Sequence, residues 1–405
     1  MSEKRRDNKG RILKTGESQR KDGRYLYKYV DTFGEPQFVY SWKLVPTDRI
    51  PAGKRDCVSL REKIAEIQKD IHDGIDVVGK KMTLCQLYAK QNAQRPKVRK
   101  PTQTGRKYLM DILEKDKLGV RSIDSIKPSD AKEWAIRMSE NGFAYSTINN
   151  YKRSLKASFY IAIQDDYVRK NPFDFQLNTV IDDDTVPKIA LTKEQGEKLL
   201  AFAKADKTYS KNHDEILILL KTGLRISEFG GLTLSDLDFK NRLIHVDHQL
   251  LRDTEIGYYI EIPKTKNGER QVPMVEEAYQ AFQRVLAKRK NGKHVEIDGY
   301  SDFLFLNRKD YPKTSSDYYS MLKNLVKKYN KYNEDKLPHI TPHILRHTFC
   351  TNYANEGMNP KALQYIMGHA NITMTLNYYA HATFDSAMAE VKRLEKGKQQ
   401  EQIAA

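Results

Sequence analysis

The first 75 residues alternate between polar and apolar side chains in a way that predicts strands, and then change to a helical repeat. Residues 24–30 read RYLYKYV, so the tyrosines fall on one face of a strand and the basic side chains on the other. The turn signal DTFG separates this strand from a second one at residues 37–42. Apolar residues then recur at helical spacing over residues 60–67. The pattern predicts a small β-β-β-α domain over residues 1–75.

The middle of the chain has a helical pattern. Thr83 followed by Gln86 forms a capping box, which predicts the start of a helix. The stretches that follow predict helices at residues 102–116, 128–141 and 145–167. The pair Asn171-Pro172 marks their end, because proline disfavours a helical conformation in the residue before it. We expect a helical domain over residues 80–175, followed by an acidic linker.

The remaining residues, 186–405, mix helical and strand patterns. A capping box at Thr192 and Gln195 opens one helix, and an apolar helix ends at Gly223, a residue that commonly terminates helices. Strands are predicted at residues 243–246, 258–262 and 270–274. The Asn-Gly turn signal between the last two strands predicts that they form a hairpin. Further helices are expected at residues 275–290, 315–330 and 384–396.

These patterns together predict a multidomain α+β protein. It consists of a small N-terminal three-stranded sheet with a helix, a helical domain, and a mixed, mainly α domain at residues 186–405. The formal net charge of +17 and the pI of about 9.4 favour a polyanionic partner such as nucleic acid. No long apolar run or signal peptide occurs, so we expect a cytoplasmic protein with no membrane association.

Cysteine and acidic residues give no sign of a disulfide framework or a metal site. The three cysteines, Cys57, Cys85 and Cys350, lack the paired spacing of zinc ligands or disulfides, which fits a reducing compartment. The three adjacent aspartates at residues 182–184 cannot readily face one ion together. We therefore expect neither a metal nor another cofactor.

The candidate chemistry lies near the C-terminus, where His343, Arg346, His369 and Tyr379 follow one another in a short stretch. A guanidinium offers a planar set of donors for the oxygens of a phosphate. Imidazoles exchange protons near neutral pH. A tyrosine can attack phosphorus and hold it as a covalent intermediate. These residue types are sufficient to break a phosphodiester without a metal.

The order and spacing of these residues resemble the tyrosine recombinase (lambda-type phage integrase) family. The family pattern H-x-x-R, then M-G-H, then a tyrosine nine or ten residues on, is met by residues 343–346, 367–369 and 379, and TGLRISE at 222–228 resembles its other half. The resemblance implies a catalytic set of Arg225, Lys264, His343, Arg346, His369 and Tyr379. Lys266 is an alternative to Lys264 as the general acid. Tyr378 is an alternative nucleophile, although the spacing T-x-x-x-Y-A-H favours Tyr379.

The other two domains also resemble parts of this family, in particular the integrases of conjugative transposons. The first resembles their AP2-like domain, which implies binding to arm-type DNA sites. Its candidate DNA contacts, chosen by face and charge, are Arg20, Arg24, Lys28, Tyr40, Trp42 and Lys54. The second resembles the SAM-like core-binding domain, which with the catalytic domain clamps duplex DNA at the core site. Its candidate phosphate contacts are Lys97, Arg99, Lys152 and Arg153.

The resemblance implies a site-specific DNA recombinase that integrates and excises a mobile element, a conjugative transposon or a prophage. Strand exchange would pass through a 3′-phosphotyrosine intermediate, with four protomers on two DNA sites. An excisionase, a host DNA-bending protein, or both, would be partners. Two alternatives remain open: a type IB topoisomerase-like enzyme that relaxes DNA, and a DNA-binding regulator with a decayed active site.

Overall fold

The computed structural model describes residues 5–31, 34–73, 79–185, 189–263, 268–289 and 295–379. The chain divides into two compact units, Met1–Val186 and Pro187–Ala405. The division falls within the predicted acidic linker. The predicted helix at 384–396 lies outside the described residues. Across the ranges that are described, no helix combines the length and apolar character needed to cross a membrane.

The first unit begins with the predicted three strands and a helix. They are β1 (Glu17–Gln19), β2 (Tyr25–Val30), β3 (Pro36–Ser41) and α1 (Leu60–His72), and the strands form an antiparallel sheet in the order β1-β2-β3. The helix starts at a capping box made by Ser59 and Glu62. The predicted β-β-β-α order is therefore confirmed.

The two faces of this sheet differ as the alternation predicts. Tyr25 and Tyr29 are buried on the face that packs against α1, where Tyr29 contacts Ile67. The opposite face leaves the rings of Phe38 and Tyr40 exposed to solvent. Because neighbouring side chains of a strand point to opposite faces, the tyrosine side forms the core and the basic side remains accessible.

In the described part of the first unit, α1 is followed by the α-helices α2 (Leu84–Ala93), α3 (Lys100–Lys115), α4 (Pro128–Glu140) and α5 (Tyr145–Gln164). The capping box of Thr83 and Gln86 is present at the start of α2, as predicted. Their core is built around Trp134, whose ring meets the edge of Phe173, the residue after Asn171-Pro172. The predicted helix positions agree to within a few residues.

A buried ionic cluster joins the end of α1 to the helices. Asp70 is 4% exposed and accepts from Lys80 (Nζ–Oδ2 2.5 Å) and from Arg169 (Nη2–Oδ1 3.1 Å). Arg169 also pairs with Asp73 at 2.5 Å. The charge of Asp70 keeps the pKa of Lys80 raised even though burial acts to lower it. This cluster therefore links the sheet domain to the helical domain by charge.

The second unit is mainly helical. Its helices are α6 (Lys193–Ala205), α7 (His213–Thr222), α8 (Ile226–Gly231), α9 (Glu276–Ala287), α10 (Ser315–Tyr332), α11 (Pro342–Asn355), α12 (Pro360–Met367) and α13 (Ile372–Leu376). The predicted capping box of Thr192 and Gln195 opens α6, and the predicted glycine ends α7. Its strands are β4 (Leu237–Asp238), β5 (Leu243–Val246), β6 (Gln249–Asp253), β7 (Gly257–Glu261) and β8 (Arg270–Pro273).

The pairing of these strands corrects the predicted hairpin. Among the described residues β8 pairs with β5, in a sheet of order β4-β5-β8, while β7 pairs with β6, a strand that the sequence pattern did not reveal. The prediction that the strands at 258–262 and 270–274 form one hairpin is therefore wrong. Burial explains the outcome, because Val272 sits opposite Ile244 in the main core, whereas Leu250 of β6 packs with Phe303 in a separate cluster.

The ionic cluster gives a prediction for stability. We expect Asp70→Asn to lower the free energy of unfolding of the first unit by about 3 kcal/mol, because the buried Lys80 loses the nearer and more buried of its two carboxylate partners, Asp70 and Glu66. Asp56→Asn is the control: it breaks an exposed pair and should change stability by less than about 1 kcal/mol. Both tryptophans, Trp42 and Trp134, lie in this unit, so denaturant titration followed by tryptophan fluorescence measures it selectively. Equal effects of the two variants would contradict the role of the cluster.

Candidate active site

The junction between α7 and α8 positions Arg225. Gly223 ends α7 with a φ of +62°, and a Cβ there would lie 2.4 Å from the ring of Phe349, so no other residue fits. Arg225 is the residue immediately before the first residue of α8. Its backbone N–H donates to Glu228 Oε2 (2.8 Å) and its Nη1 donates to Glu228 Oε1 (2.6 Å). The helix start therefore fixes both the backbone and the side chain of Arg225.

Arg346 lies on α11 and is 8% exposed. Its Nη1 donates to the carbonyl of Gly223 (2.5 Å), and its Nη2 donates to the carbonyl of Met367. Burial, with the like charge of Arg225, lowers the pKa of Arg346 to about 9, which leaves the guanidinium charged at neutral pH. A buried guanidinium with its charge intact provides a strong site for an anion.

Three arginines donate to three successive carbonyls at the end of α12. Arg270 Nε donates to Ile366 O (2.7 Å), Arg346 to Met367 O, and Arg225 Nη2 to Gly368 O (2.5 Å). The last carbonyls of a helix have no partner within the helix and carry partial negative charge. The C-terminal end of α12 therefore gathers the guanidiniums and partly offsets their repulsion.

Gly368 is required at this point by both conformation and space. Its φ is +60°, and a Cβ would lie 3.0 Å from Nη1 of Arg270 and 3.1 Å from Nη1 of Arg225. A side chain at this position would therefore crowd both guanidiniums. This explains physically why a glycine precedes His369 in the sequence.

His369 is held neutral beside the arginines. It is buried, and its Nδ1 lies 2.9 Å from the hydroxyl of Thr375. Burial, reinforced by the charges of Arg346, Arg225 and the neighbouring Arg270, lowers its pKa to about 4. At neutral pH the ring can therefore donate or accept one hydrogen bond at a phosphate without adding a further charge.

The other candidate catalytic residues are placed differently. His343 is exposed on the first turn of α11, with its ring centroid 6.4 Å from that of Tyr319. Lys264 and its alternative Lys266 lie outside the described residues. The structure thus brings Arg225, Arg346 and His369 together.

Tyr379 packs behind this group, in the cluster that contains Cys350 and Met367. Its hydroxyl donates to the carbonyl of Met358 (2.5 Å), and burial raises its pKa. Tyr378 lies between two histidine rings, with centroid distances of 4.7 Å to His347 and 6.4 Å to His369. Of the two tyrosines, Tyr378 is thus in ring contact with His369.

Sequence reasoning missed Arg270. Its side chain is fully buried and forms two hydrogen bonds to Glu228 (2.8 and 3.0 Å). A signal was present, since alternation along β8 places Arg270 on the same buried side as Val272. An arginine on the core face of a strand needs a buried anionic partner.

The candidate DNA contacts of the sheet domain share one face, where cations stand over aromatic rings. The distances from charge to ring centroid are 5.6 Å for Arg20–Tyr40, 5.4 Å for Arg24–Tyr40, 5.7 Å for Arg24–Trp42, 5.3 Å for Lys54–Trp42 and 5.9 Å for Lys28–Phe38. These contacts hold the cations over the rings without burying them. We call these side chains the cationic sheet face.

The candidates of the helical domain are less uniform. Lys97 and Arg153 are exposed, and Arg99 is partly buried. Lys152 is 6% exposed, with its Nζ 4.6 Å from the centroid of Phe175, and burial lowers its pKa. The prediction that Lys152 contacts a phosphate is not supported, because its side chain is buried with the ammonium over the ring of Phe175.

One group of described side chains could approach a metal ion: Asp236, Asp247 and His248. Each is already used within the fold. His248 Nε2 lies 2.7 Å from Gly231 O and its Nδ1 lies 2.5 Å from Asp247, while Asp236 accepts from the backbone and hydroxyl of Thr233. This group is explained by local hydrogen bonding.

Two guanidiniums and a neutral imidazole lie at one helix end with two tyrosines packed beside them, and these are the groups that transfer of a phosphodiester to a tyrosine requires. With this fold, they define the class of tyrosine recombinases, enzymes that cleave and rejoin DNA. Two family models match the chain: "Phage integrase family" over residues 190–386 and "DNA binding domain of tn916 integrase" over residues 1–71. The chain belongs to the phage integrase family.

Similar proteins support this assignment. The chain is 88% identical over 405 residues, 100% of both chains, to a transposase from transposon Tn916 of Enterococcus faecalis. It is equally similar, over the same length, to a transposase from transposon Tn1545 of Streptococcus pneumoniae.

Solved structures of a Tn1549 transposon integrase are 64% identical with a TM-score of 0.74. One, with the substitution Y379F, is bound to transposon right end DNA and covers 78% of this chain and 100% of its own. Another, with R225K, is bound to a circular intermediate DNA and covers 77% and 99%.

The position of Gly368 gives a prediction. We expect Gly368→Ala to slow covalent attachment to a nicked DNA duplex by about 10- to 100-fold, because the added Cβ pushes both guanidiniums away. Gly299→Ala is the matched control, since Gly299 also has a positive φ (+85°) but open space around it. Both variants should lose about 1 kcal/mol of stability from backbone strain. A similar rate of attachment in the two variants would rule out crowding of the arginines.

Proposed function

We propose that this chain is the recombinase that integrates and excises a conjugative transposon. Its full-length similarity to the Tn916 and Tn1545 transposases supports the kind of element. The observation that carries the chemistry is the convergence of Arg225 and Arg346 on the carbonyls at residues 367–368, beside a neutral His369. That arrangement binds a phosphodiester by two fixed positive charges.

In the proposed reaction, Tyr379 attacks the scissile phosphate. The bond from the tyrosine oxygen to phosphorus forms while the bond to the 5′-oxygen breaks, which leaves a 3′-phosphotyrosine and a 5′-hydroxyl. The 5′-hydroxyl of the partner duplex then attacks this ester, so the bond energy is conserved and no nucleotide cofactor is consumed. Repetition on the second pair of strands resolves the junction.

The other residues lower the activation free energy of each step. A tyrosine with a pKa of about 10 costs roughly 4 kcal/mol to ionise at pH 7, so its proton must leave during attack. Arg225 and Arg346 stabilise the charge that develops on the phosphorane oxygens. His343 and His369 assist proton transfer and phosphate binding, and Lys264 protonates the leaving 5′-oxygen.

Tyr379 must change its hydrogen bond before it can attack. Its hydroxyl donates to Met358 O in the structure described here, so it must leave that carbonyl when DNA is bound. The Tn1549 integrase structures carry Y379F and R225K, and this chain has tyrosine and arginine at those numbers. That correspondence supports Tyr379 over Tyr378 as the nucleophile.

DNA would be held by all three parts of the chain. The cationic sheet face binds arm-type sites, and Lys97, Arg99 and Arg153 contact phosphates of the core site. Four protomers act on two DNA sites, because each protomer supplies one tyrosine and two duplexes have four strands to cleave. An excisionase or a host DNA-bending protein sets the direction, and the reaction takes place in the cytoplasm.

The nucleophile is tested with a nicked core-site duplex in the presence of EDTA. The nick releases a short fragment after cleavage and traps the covalent complex, which is then visible on a denaturing gel and sensitive to protease. We expect the complex with the unchanged protein and with Tyr378→Phe, and none with Tyr379→Phe. Loss with Tyr378→Phe alone would move the assignment by one residue. Tight DNA binding without any covalent complex would indicate a regulator, and relaxation of supercoils without strand exchange a topoisomerase.

The cationic sheet face is tested by the salt dependence of binding to an arm-site duplex. We expect Arg24→Ala to weaken binding by about tenfold and to reduce the salt dependence by about one released ion, because a phosphate contact is lost. Lys69→Ala is the control, as it removes the same charge from the exposed side of α1. Fluorescence anisotropy at several salt concentrations gives both values. Equal effects of the two variants would show that only net charge matters.

A further inference from the structure

Arg270 has a place in the site that the proposed chemistry does not use. Its side chain is fully buried, so it cannot reach a phosphate. Its Nε donates to Ile366 O (2.7 Å), its Nη1 to Gly268 O (3.2 Å) and to Glu228, and its Nη2 to Glu228. A buried guanidinium with this many partners is rigid, since movement would break several charged hydrogen bonds together.

Arg270 and Arg225 share a single carboxylate oxygen. Glu228 Oε1 accepts from Nη1 of Arg225 (2.6 Å) and from Nη1 of Arg270 (3.0 Å), while Oε2 accepts from Nη2 of Arg270 (2.8 Å). Burial alone would raise the pKa of Glu228, but the hydrogen bonds and charge of Arg270, followed by the charges of the other arginines, lower it to about 2. Glu228 therefore remains an anion between two cations.

This sharing determines how Arg225 is oriented. A carboxylate next to a single arginine favours two parallel hydrogen bonds to that arginine. Because Nη2 of Arg270 and the backbone N–H of Arg225 both donate to Oε2, Glu228 offers the Arg225 side chain one oxygen only. The other end of that side chain is then fixed by Gly368 O. Removing Arg270 would leave the backbone N–H of Arg225 at Oε2 and open room for a second donor there, and the guanidinium of Arg225 would turn towards Glu228 and away from the phosphate.

We propose that Arg270 is a positioning residue for DNA cleavage, which acts on the scissile phosphate through Glu228 and Arg225. The inference rests on the proposed role of Arg225 at the phosphate. The alternative is that the pair of Arg270 and Glu228 only stabilises the fold. The two roles predict different effects on the reaction. The effect of a positioning residue grows with the negative charge that Arg225 must stabilise, whereas the effect of a residue that only stabilises the fold does not depend on that charge.

The test compares two nicked duplexes that carry the joined ends of the element. One has an ordinary scissile phosphate, and the other a methylphosphonate at the same place, in which a methyl group replaces one non-bridging oxygen. The methylphosphonate is neutral, so displacement of the Arg225 guanidinium raises the activation free energy for its cleavage less than for cleavage of the phosphate. The rate of covalent complex formation is measured on both duplexes for the full chain, with DNA affinity and thermal unfolding measured alongside.

Three variants are compared with the unchanged protein. Arg270→Met removes the positioning group and Arg225→Ala is the reference for loss of the phosphate contact. Lys313→Met is the matched control, because Lys313 pairs with the buried Glu215 at 2.6 Å in the same unit. We expect Arg270→Met to cleave the phosphate about 10- to 100-fold more slowly and the methylphosphonate within about threefold of the unchanged protein. For Lys313→Met, the rate of covalent complex formation relative to the unchanged protein should be the same on both duplexes.

Different failures lead to different conclusions. An equal loss on both duplexes with Arg270→Met, or no loss at all, would overturn the positioning role of Arg270. If Arg225→Ala also slowed covalent complex formation equally on both duplexes, the proposed function of Arg225 would be wrong as well. If Arg270→Met does not fold, Arg270→Lys is measured in its place. It keeps the buried charge but cannot form both bonds to Glu228, so we expect the same selective loss, and an equal loss again overturns the role.

Discussion

Glu228 Oε1 accepts hydrogen bonds from two guanidiniums at once, and the arrangement of the arginines in the candidate active site depends on that shared contact. Three guanidiniums in a small, largely buried volume repel one another strongly, because little water is present to screen them. One carboxylate and three carbonyls of a helix end offset that repulsion. Gly368 meets the same demand, since a Cβ at that position would crowd two of the guanidiniums that the helix end holds.

Features that depend on neighbouring residues were predictable from the sequence. The capping boxes at Thr83 and Thr192, the alternation in β2 and the glycine that ends α7 all follow from contacts within a few positions. The family motifs also identified Arg225, Arg346 and His369, which the structure brings to one helix end. Local rules therefore gave most of the elements, and the family resemblance gave the residues that the structure places at the end of α12.

The errors concern contacts between residues that are distant in the chain. The pairing of β8 with β5 was missed because a turn signal between adjacent strands does not specify which strands become neighbours. Lys152 was named as a candidate phosphate contact, whereas the fold buries its side chain and places the ammonium over the ring of Phe175. Arg270 was overlooked because its partner, Glu228, is 42 positions away.

The hydrogen bond from the Tyr379 hydroxyl to Met358 O sets the fraction of molecules in which the hydroxyl is free, and it does not switch the hydroxyl fully on or off. A single hydrogen bond of this kind contributes about 1 kcal/mol net, which would leave the hydroxyl free in roughly one molecule in six. Such a bond alone would slow cleavage only slightly. A molecule that must stay inactive until its DNA partners are assembled would therefore depend mainly on the packing of the ring against Cys350 and Met367, where release requires repacking a core and not merely exchanging an acceptor.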